Sequence, residues 1–167
     1  MPDTAFPSPV LIVLLGAAGS GKTHLATTWP AESVLELDTF RQLICNDVRD
    51  LDQDAIDEAV FMLGTVLESR LARRLTTVVD AAANSDPVMR AKLLELAGRY
   101  EVPAVVLILT TPLELCLERN ARRPPHHRLP DDVVRAQYAE AVDAVAGLRA
   151  EGFAHVEALY GGGAAVA

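Results

Sequence analysis

Six apolar residues, Val10–Leu15, run straight into Gly16-Ala17-Ala18-Gly19-Ser20-Gly21-Lys22-Thr23, and no other stretch narrows the possible folds of this chain so far. An apolar run of that length with no polar alternation reads as a strand buried on both faces, in the middle of a parallel sheet. Glycines at 16, 19 and 21 let the following backbone turn its N–H groups toward one point. A helix beginning at Lys22 adds unpaired donors and partial positive charge. Strand, turn and helix together predict an anion cradle of the phosphate-loop type. Gly16, Gly19, Ser20 and Gly21 would wrap the phosphates of ATP or GTP, Lys22 would reach the β- and γ-phosphates, and the Thr23 hydroxyl would ligate Mg²⁺.

The rest of the chain continues the alternation that this start demands. Strands are predicted at 34–37, 76–79, 104–109 and 154–159. Helices are predicted at 22–28, 40–45, 53–74, from Pro87, from Pro112 to Arg119, and at 131–149. Ala55, Ala59, Met62, Val66 and Leu67 are expected to share the buried face of the long helix. The economical solution is an α/β P-loop NTPase fold, with a five-stranded parallel sheet and helices on both faces. With 167 residues there is room for one domain, taken as 1–160, followed by a flexible tail at 161–167. Aromatic residues make only 5% of the chain, so its core must come from Leu, Val, Ile and Ala.

Charge removes several classes of function. The formal net charge is −8, and Lys22 and Lys92 are its only lysines. A chain this acidic lacks the broad field of a nucleic-acid coating protein, although a local arginine site for one phosphate or a strand end is compatible with it. The apolar run Val10–Leu15 is too short and wrongly flanked for a signal peptide or a membrane span, which leaves the cytoplasm as the default location. Cys45 and Cys116 are distant in sequence and read as reduced thiols; the adjacent pair His126–His127 does not suggest a metal site.

Three further features carry chemistry. Asp38 follows the second strand and Arg41 lies three residues later; residues just past strand C-termini line the ligand crevice of an open parallel sheet. There a carboxylate can take the proton of an attacking hydroxyl while the arginine holds an acceptor phosphate. The competing reading makes Asp38 the N-cap of a helix from Thr39 and Arg41 a solvated side chain. Asp80 ends the third strand, where it suits a carboxylate at the metal side of the site or a structural cap. Asn84 and Ser85, in the next loop, are candidates to cap the Pro87 helix. Finally, residues 119–128 contain four arginines, two histidines, two prolines and no acid. This segment reads as an arginine-rich lid over the triphosphate, against the alternative of a solvated basic turn.

These pieces resemble the 5'-OH polynucleotide kinase domain of bacterial polynucleotide kinase/phosphatase, within the wider AAA_33-like set of small P-loop kinases. The resemblance runs from about Val10 to Tyr160. It rests on the GAAGSGKT loop, Asp38-x-x-Arg41, Val78-Val79-Asp80-Ala81, Cys116-x-x-Arg119-Asn120, Arg135-x-Gln137 and Gly147-Leu148-Arg149-Ala150-Glu151-Gly152-Phe153. It implies that Asp38 is the general base for the acceptor hydroxyl and that Arg41 contacts the acceptor's 3'-side phosphate. Arg119 and Arg123 become lid arginines on the donor phosphates, and a further lid position falls on His126 or Arg128. Relatives of that kind carry more domains, so this chain is either a kinase domain alone or a stand-alone relative. The leading acceptor is therefore a polynucleotide 5'-hydroxyl. The alternatives are a small metabolite, nucleoside or antibiotic, and, further off, a nucleotide-binding regulator or NTP hydrolase.

Overall fold

The structure, a computed structural model, describes residues 6–46 and 52–160. The expected flexible tail 161–167, together with residues 1–5 and 47–51 of the expected domain, lies outside the described residues. Five strands form one sheet in the order β2-β3-β1-β4-β5. They are β1 Leu11–Leu15, β2 Val34–Glu36, β3 Thr77–Asp80, β4 Ala104–Leu109 and β5 His155–Leu159, and every pairing is parallel. The helices are α1 Lys22–Ala26, α2 Leu37–Cys45, α3 Gln53–Ala72, α4 Pro87–Arg99, α5 Leu113–Ala121, α6 Asp131–Val145 and α7 Leu148–Glu151.

Period-two alternation along each strand divides the core into two layers. Leu11, Val13 and Leu15 of β1 join Leu35, Val79, Val106 and Ile108 on the face covered by α3 and α4. Ile12 and Leu14 join Val78, Val105 and Leu107 on the opposite face, under α1 and Trp29. Every residue of β1 and β4 is buried, as expected for neighbouring central strands.

The register then places the chemistry. Leu14 pairs with Asp80, and Asp80 pairs with Glu36, so a single row crosses β1, β3 and β2 at their C-terminal ends. Residues in one row point to one face of a sheet. Asp80 and Glu36 therefore emerge on the α1 side, beside the loop that leaves β1.

Several local expectations need correction. The buried face of α3 is Ala55, Ala59, Leu63, Leu67 and Leu71, an unbroken i, i+4 ridge. Met62 and Val66 are each 38% exposed. The run Val60-Phe61-Met62-Leu63 is apolar all round the helix, so periodicity alone could not choose between faces. The chain enters α2 directly from β2, with Leu37 as its first residue and Glu36 preceding it. Asp38 therefore lies in the first helical turn and is not its N-cap. The cap of α4 is Asp86, whose carboxylate accepts from Val88 N–H at 2.9 Å. Asn84 is instead fully buried and donates to the carbonyls of Leu14 and Val79 at 2.8 and 3.0 Å, tying β1 to β3. Arg90 braces this turn by donating to the carbonyls of Asn84 and Ser85 and pairing with both carboxylate oxygens of Glu151 at 2.7 Å. The expected helix 131–149 is interrupted after Val145 and resumes as the short α7.

The corrected face of α3 makes a measurable contrast. Leu63→Ala should lower unfolding free energy by about 2–5 kcal/mol through lost burial and a cavity. Met62→Ala, next to it but at the surface, should stay within about 1 kcal/mol of the parent. Urea titrations of the two variants check this, and equal losses would contradict the assigned ridge.

Candidate active site

The loop after β1 is shaped by contacts that leave no room for larger residues. Gly16, Gly19 and Gly21 all have positive φ, at 148°, 79° and 105°. At Gly19 a Cβ would lie 2.3 Å from the carbonyl oxygen of Cys116 on α5, an impossible approach to rigid backbone. α5 is thus packed against the loop, and Ala17, Ala18, Cys116 and Val134 form a small buried cluster between them. Gln137 on α6 accepts from Ala18 N–H at 3.0 Å, fastening the loop from a second helix.

Lys22 is buried, and its ammonium donates to the carbonyls of Gly16 and Ala17 at 2.7 and 3.0 Å. Burial pushes its pKa down; the charge of Asp80 opposes that shift, while Arg123 adds to it. Thr23 Oγ1 donates to Asp80 Oδ2 at 2.8 Å, linking the first turn of α1 to the end of β3. Burial pushes the Asp80 carboxyl above the usual range, countered by Lys22 and the Thr23 hydrogen bond. Glu36, half-buried in the same row, is also pushed up, first by burial and then by the charges of Asp80 and Asp38.

The arginine-rich segment is held at its base. Asn120 of α5 donates to Leu129 O at 2.8 Å and accepts from Leu129 N–H at 3.1 Å, closing a loop over the intervening residues. Arg119 Nη1 lies 3.4 Å from Gly19 O, directed at the glycine loop. Arg123 is half-buried and acts electrostatically on Lys22, Glu36 and Asp80. Arg122 turns away and pairs with Glu118. Arg128 is exposed and donates to Arg123 O at 3.1 Å, so it shapes the loop without reaching the cavity.

Between α2 and this loop lies a cavity of about 490 Å³, within the usual size of a small-molecule site. Thr23, Glu36 and Asp38 line one side and Arg123, His127 and Leu129 the other. Asp38 has an exposed side chain and meets Arg41 Nη1 at 3.4 Å, while the Arg41 side chain is only 13% exposed. The expected site residues Lys22, Thr23, Asp38, Asp80, Arg119 and Arg123 are thus gathered around one end of the sheet, with Arg41 behind Asp38. Glu36 and Gln137 were not singled out from sequence as site residues. For Glu36 the available signal was its place at a strand end, two residues before Asp38. For Gln137 the signal was the Arg135-x-Gln137 piece of the family resemblance, to which no role was attached. Among the described residues, no three His, Cys, Asp or Glu side chains form a metal cluster of their own.

A five-stranded parallel sheet in this order, with a glycine-rich loop running from β1 into α1, defines a small P-loop kinase fold. The chain belongs to the AAA_33 family of AAA domains, whose model matches residues 11–148. No curated protein matches it. Among solved structures, a chain of the Pnkp1/Rnl/Hen1 RNA repair complex superposes with a TM-score of 0.71 at 16% identity, covering 87% of this chain and 48% of that one. A protein from Chloroflexus aurantiacus described as a kinase gives 0.62 at 16% identity, covering 81% and 80%. A sugar kinase from Janibacter sp. HTCC2649 gives 0.56 at 22% identity, covering 81% and 78%. This chain thus spans about half of the RNA-repair chain and most of the other two. No helix among the described residues is long and apolar enough to cross a membrane.

The Gly19 contact predicts a sharp positional effect. Gly19→Ala should cost about 1–3 kcal/mol from backbone strain alone, and more from the collision with Cys116. Gly64, on α3, has open space where a Cβ would go, so Gly64→Ala should instead raise stability by up to about 1 kcal/mol. Thermal unfolding of the free protein separates the two.

Proposed function

We propose that the protein is a kinase that transfers the γ-phosphate of ATP or GTP to a hydroxyl group of a small molecule. The observation that carries this reading is the cavity between α2 and the arginine loop, where Thr23, Asp38 and Arg123 meet in a space of about 490 Å³. That volume suits a metabolite-sized acceptor. Its wall bears the carboxylates Glu36 and Asp38 and few cations to guide a nucleic-acid strand. The sugar kinase among the structural neighbours is compatible with such an acceptor. A polynucleotide 5' end is the second reading, favoured by the Asp38–Arg41 pair, which could serve a hydroxyl and an adjacent phosphate together.

On this reading residues 1–160 work as one catalytic domain. The loop fits a nucleotide triphosphate: positive φ at Gly16, Gly19 and Gly21 gives the backbone the turn that N–H groups converging on an anion require, and the Lys22 ammonium lies against the loop. Gly16, Gly19, Ser20 and Gly21 wrap the phosphates, while Arg119 and Arg123 meet them from the lid side. Thr23 and Asp80 are the pair suited to hold Mg²⁺, a hard cation that takes oxygen ligands. When bound, that ion neutralises charge on the phosphate oxygens. Asp38, exposed to the cavity and in the first turn of α2, accepts the proton of the acceptor hydroxyl as it attacks. Arg41, with its Nη1 3.4 Å from Asp38 Oδ1, holds that carboxylate in place. The loop around Arg123 keeps water from the transferring group.

Asp38→Asn should reduce transfer about 10²–10⁴-fold with nucleotide affinity unchanged. A γ-labelled transfer assay with a parallel nucleotide titration measures both, and undiminished transfer would refute the base assignment. Label appearing in a 5'-OH oligonucleotide but in no component of a metabolite extract would move the acceptor to the polynucleotide reading. Nucleotide consumption indifferent to any acceptor would indicate a hydrolase or regulator.

A further inference from the structure

Glu36 has no task in the transfer just described, yet it occupies a commanding position. It shares a row with Asp80 across β2 and β3 and so projects to the same face as the carboxylate beside Thr23. Its nearest polar neighbour on α2 is the Thr39 hydroxyl, at a long 3.4 Å from Oε2. It lines the cavity beside Asp38, and it also lines a second cavity of about 570 Å³ under α1, where Trp29 and Phe40 stand. Thr23, Glu36 and Thr39 are common to both, so Glu36 stands in the partition between the two spaces.

The distribution of charge decides what can sit there. Asp38 has Arg41 as its cation. Asp80 has the Thr23 hydroxyl and the charge of Lys22. Among the described residues no ion pair reaches Glu36; Arg123 lines the same cavity, and the donor phosphates would claim its charge. With the nucleotide in place and Mg²⁺ at Thr23 and Asp80, Glu36 would remain the carboxylate of the acceptor wall that no arginine pairs as Arg41 pairs Asp38. A half-buried carboxylate with two other carboxylates nearby is stabilised by a positive or strongly donating partner and destabilised by a further anion. Trp29 and Phe40 line the second cavity only, on the far side of Glu36 from Asp38.

We propose that Glu36 is a specificity-determining residue and that the acceptor carries an ammonium group near the hydroxyl that receives the phosphate. The acceptor class is an amino alcohol or amino sugar. The hydroxyl lies at Asp38 and the ammonium lies against Glu36, in the partition between the two cavities. Phosphorylated acceptors, nucleic-acid ends included, are disfavoured at the same point because they bring an anion to this wall. This inference rests on the hydroxyl-kinase reading above and narrows it.

The test uses the full chain with matched acceptor series on three scaffolds: a hexose, a ribonucleoside and an arylalkanol. Each scaffold is offered with an ammonium group, as the neutral parent and with a carboxylate, alongside a 5'-OH oligonucleotide. In the series that is phosphorylated, the ammonium member should have kcat/KM at least about tenfold above the neutral parent. Glu36→Gln should erase that preference, chiefly through KM, with the ammonium and neutral members compared on the same variant. Equal transfer to neutral and ammonium members, or a preference that survives Glu36→Gln, overturns the inference and leaves the small-molecule kinase reading standing. Transfer to the oligonucleotide alone overturns both, and nucleotide hydrolysis with no transfer to any acceptor overturns kinase activity altogether.

Discussion

The hydrogen bond from Thr23 to Asp80 joins the two parts on which everything else in the site depends. One partner opens α1 and the other closes β3, and they meet because Leu14 and Asp80 are paired across β1 and β3. A shift of one residue in that register would send Asp80 to the opposite face of the sheet, away from α1. Asn84 secures the same register from behind by binding carbonyls of both strands, and the Arg90–Glu151 pair holds the turn that carries Asn84. The site end of the sheet is therefore a consequence of the strand pairing at its C-terminal edge.

Burial sets the charges in this region against one another. Desolvation weakens the ionised form of Lys22, and it weakens the ionised forms of Asp80 and Glu36 as well. Lys22 and Asp80 relieve each other, and the Gly16 and Ala17 carbonyls supply further relief to the ammonium. At Glu36 the charges of Asp80 and Asp38 add to burial, and the Thr39 hydroxyl and the charge of Arg123 oppose them. Lys22 thus acts on Asp80, and Arg123 on both Asp80 and Glu36, from the loop side.

Fold class was legible because two signals agreed. The unbroken apolar runs in β1 and β4 could only be central strands, and the glycine loop required a strand before it and a helix after it. Asp80, Arg119 and Arg123 could be placed from their position at element ends. The α3 face could not, because four consecutive apolar residues carry no phase. Nor could the start of α2 be read, since Leu37 serves equally as a final strand residue or a first helical one. Glu36 escaped notice for a related reason: its importance comes from a partner in register on β3, and pairing across a sheet leaves no mark on local sequence. The bond from Ala18 to Gln137, 119 residues apart, is a still longer-range fact of the same kind.

Those long-range contacts also change how the arginine loop is understood. From sequence it reads as a flap free to close over a nucleotide. In the structure its two ends are locked together by the paired hydrogen bonds between Asn120 and Leu129. The helices on either side pack on the glycine loop itself, α5 through the Gly19–Cys116 approach and α6 through Gln137. Arg119, inside α5, is consequently fixed relative to the phosphate cradle. Arg123, beyond the end of α5, lies in the span that walls the cavity beside α2. The two arginines thus differ in placement: Arg119 is directed at the glycine loop, and Arg123 belongs to the cavity wall. If that cavity takes the acceptor, as proposed, the molecule that fills it touches the same segment that carries Arg123, and acceptor binding would be coupled to the placement of charge over the donor.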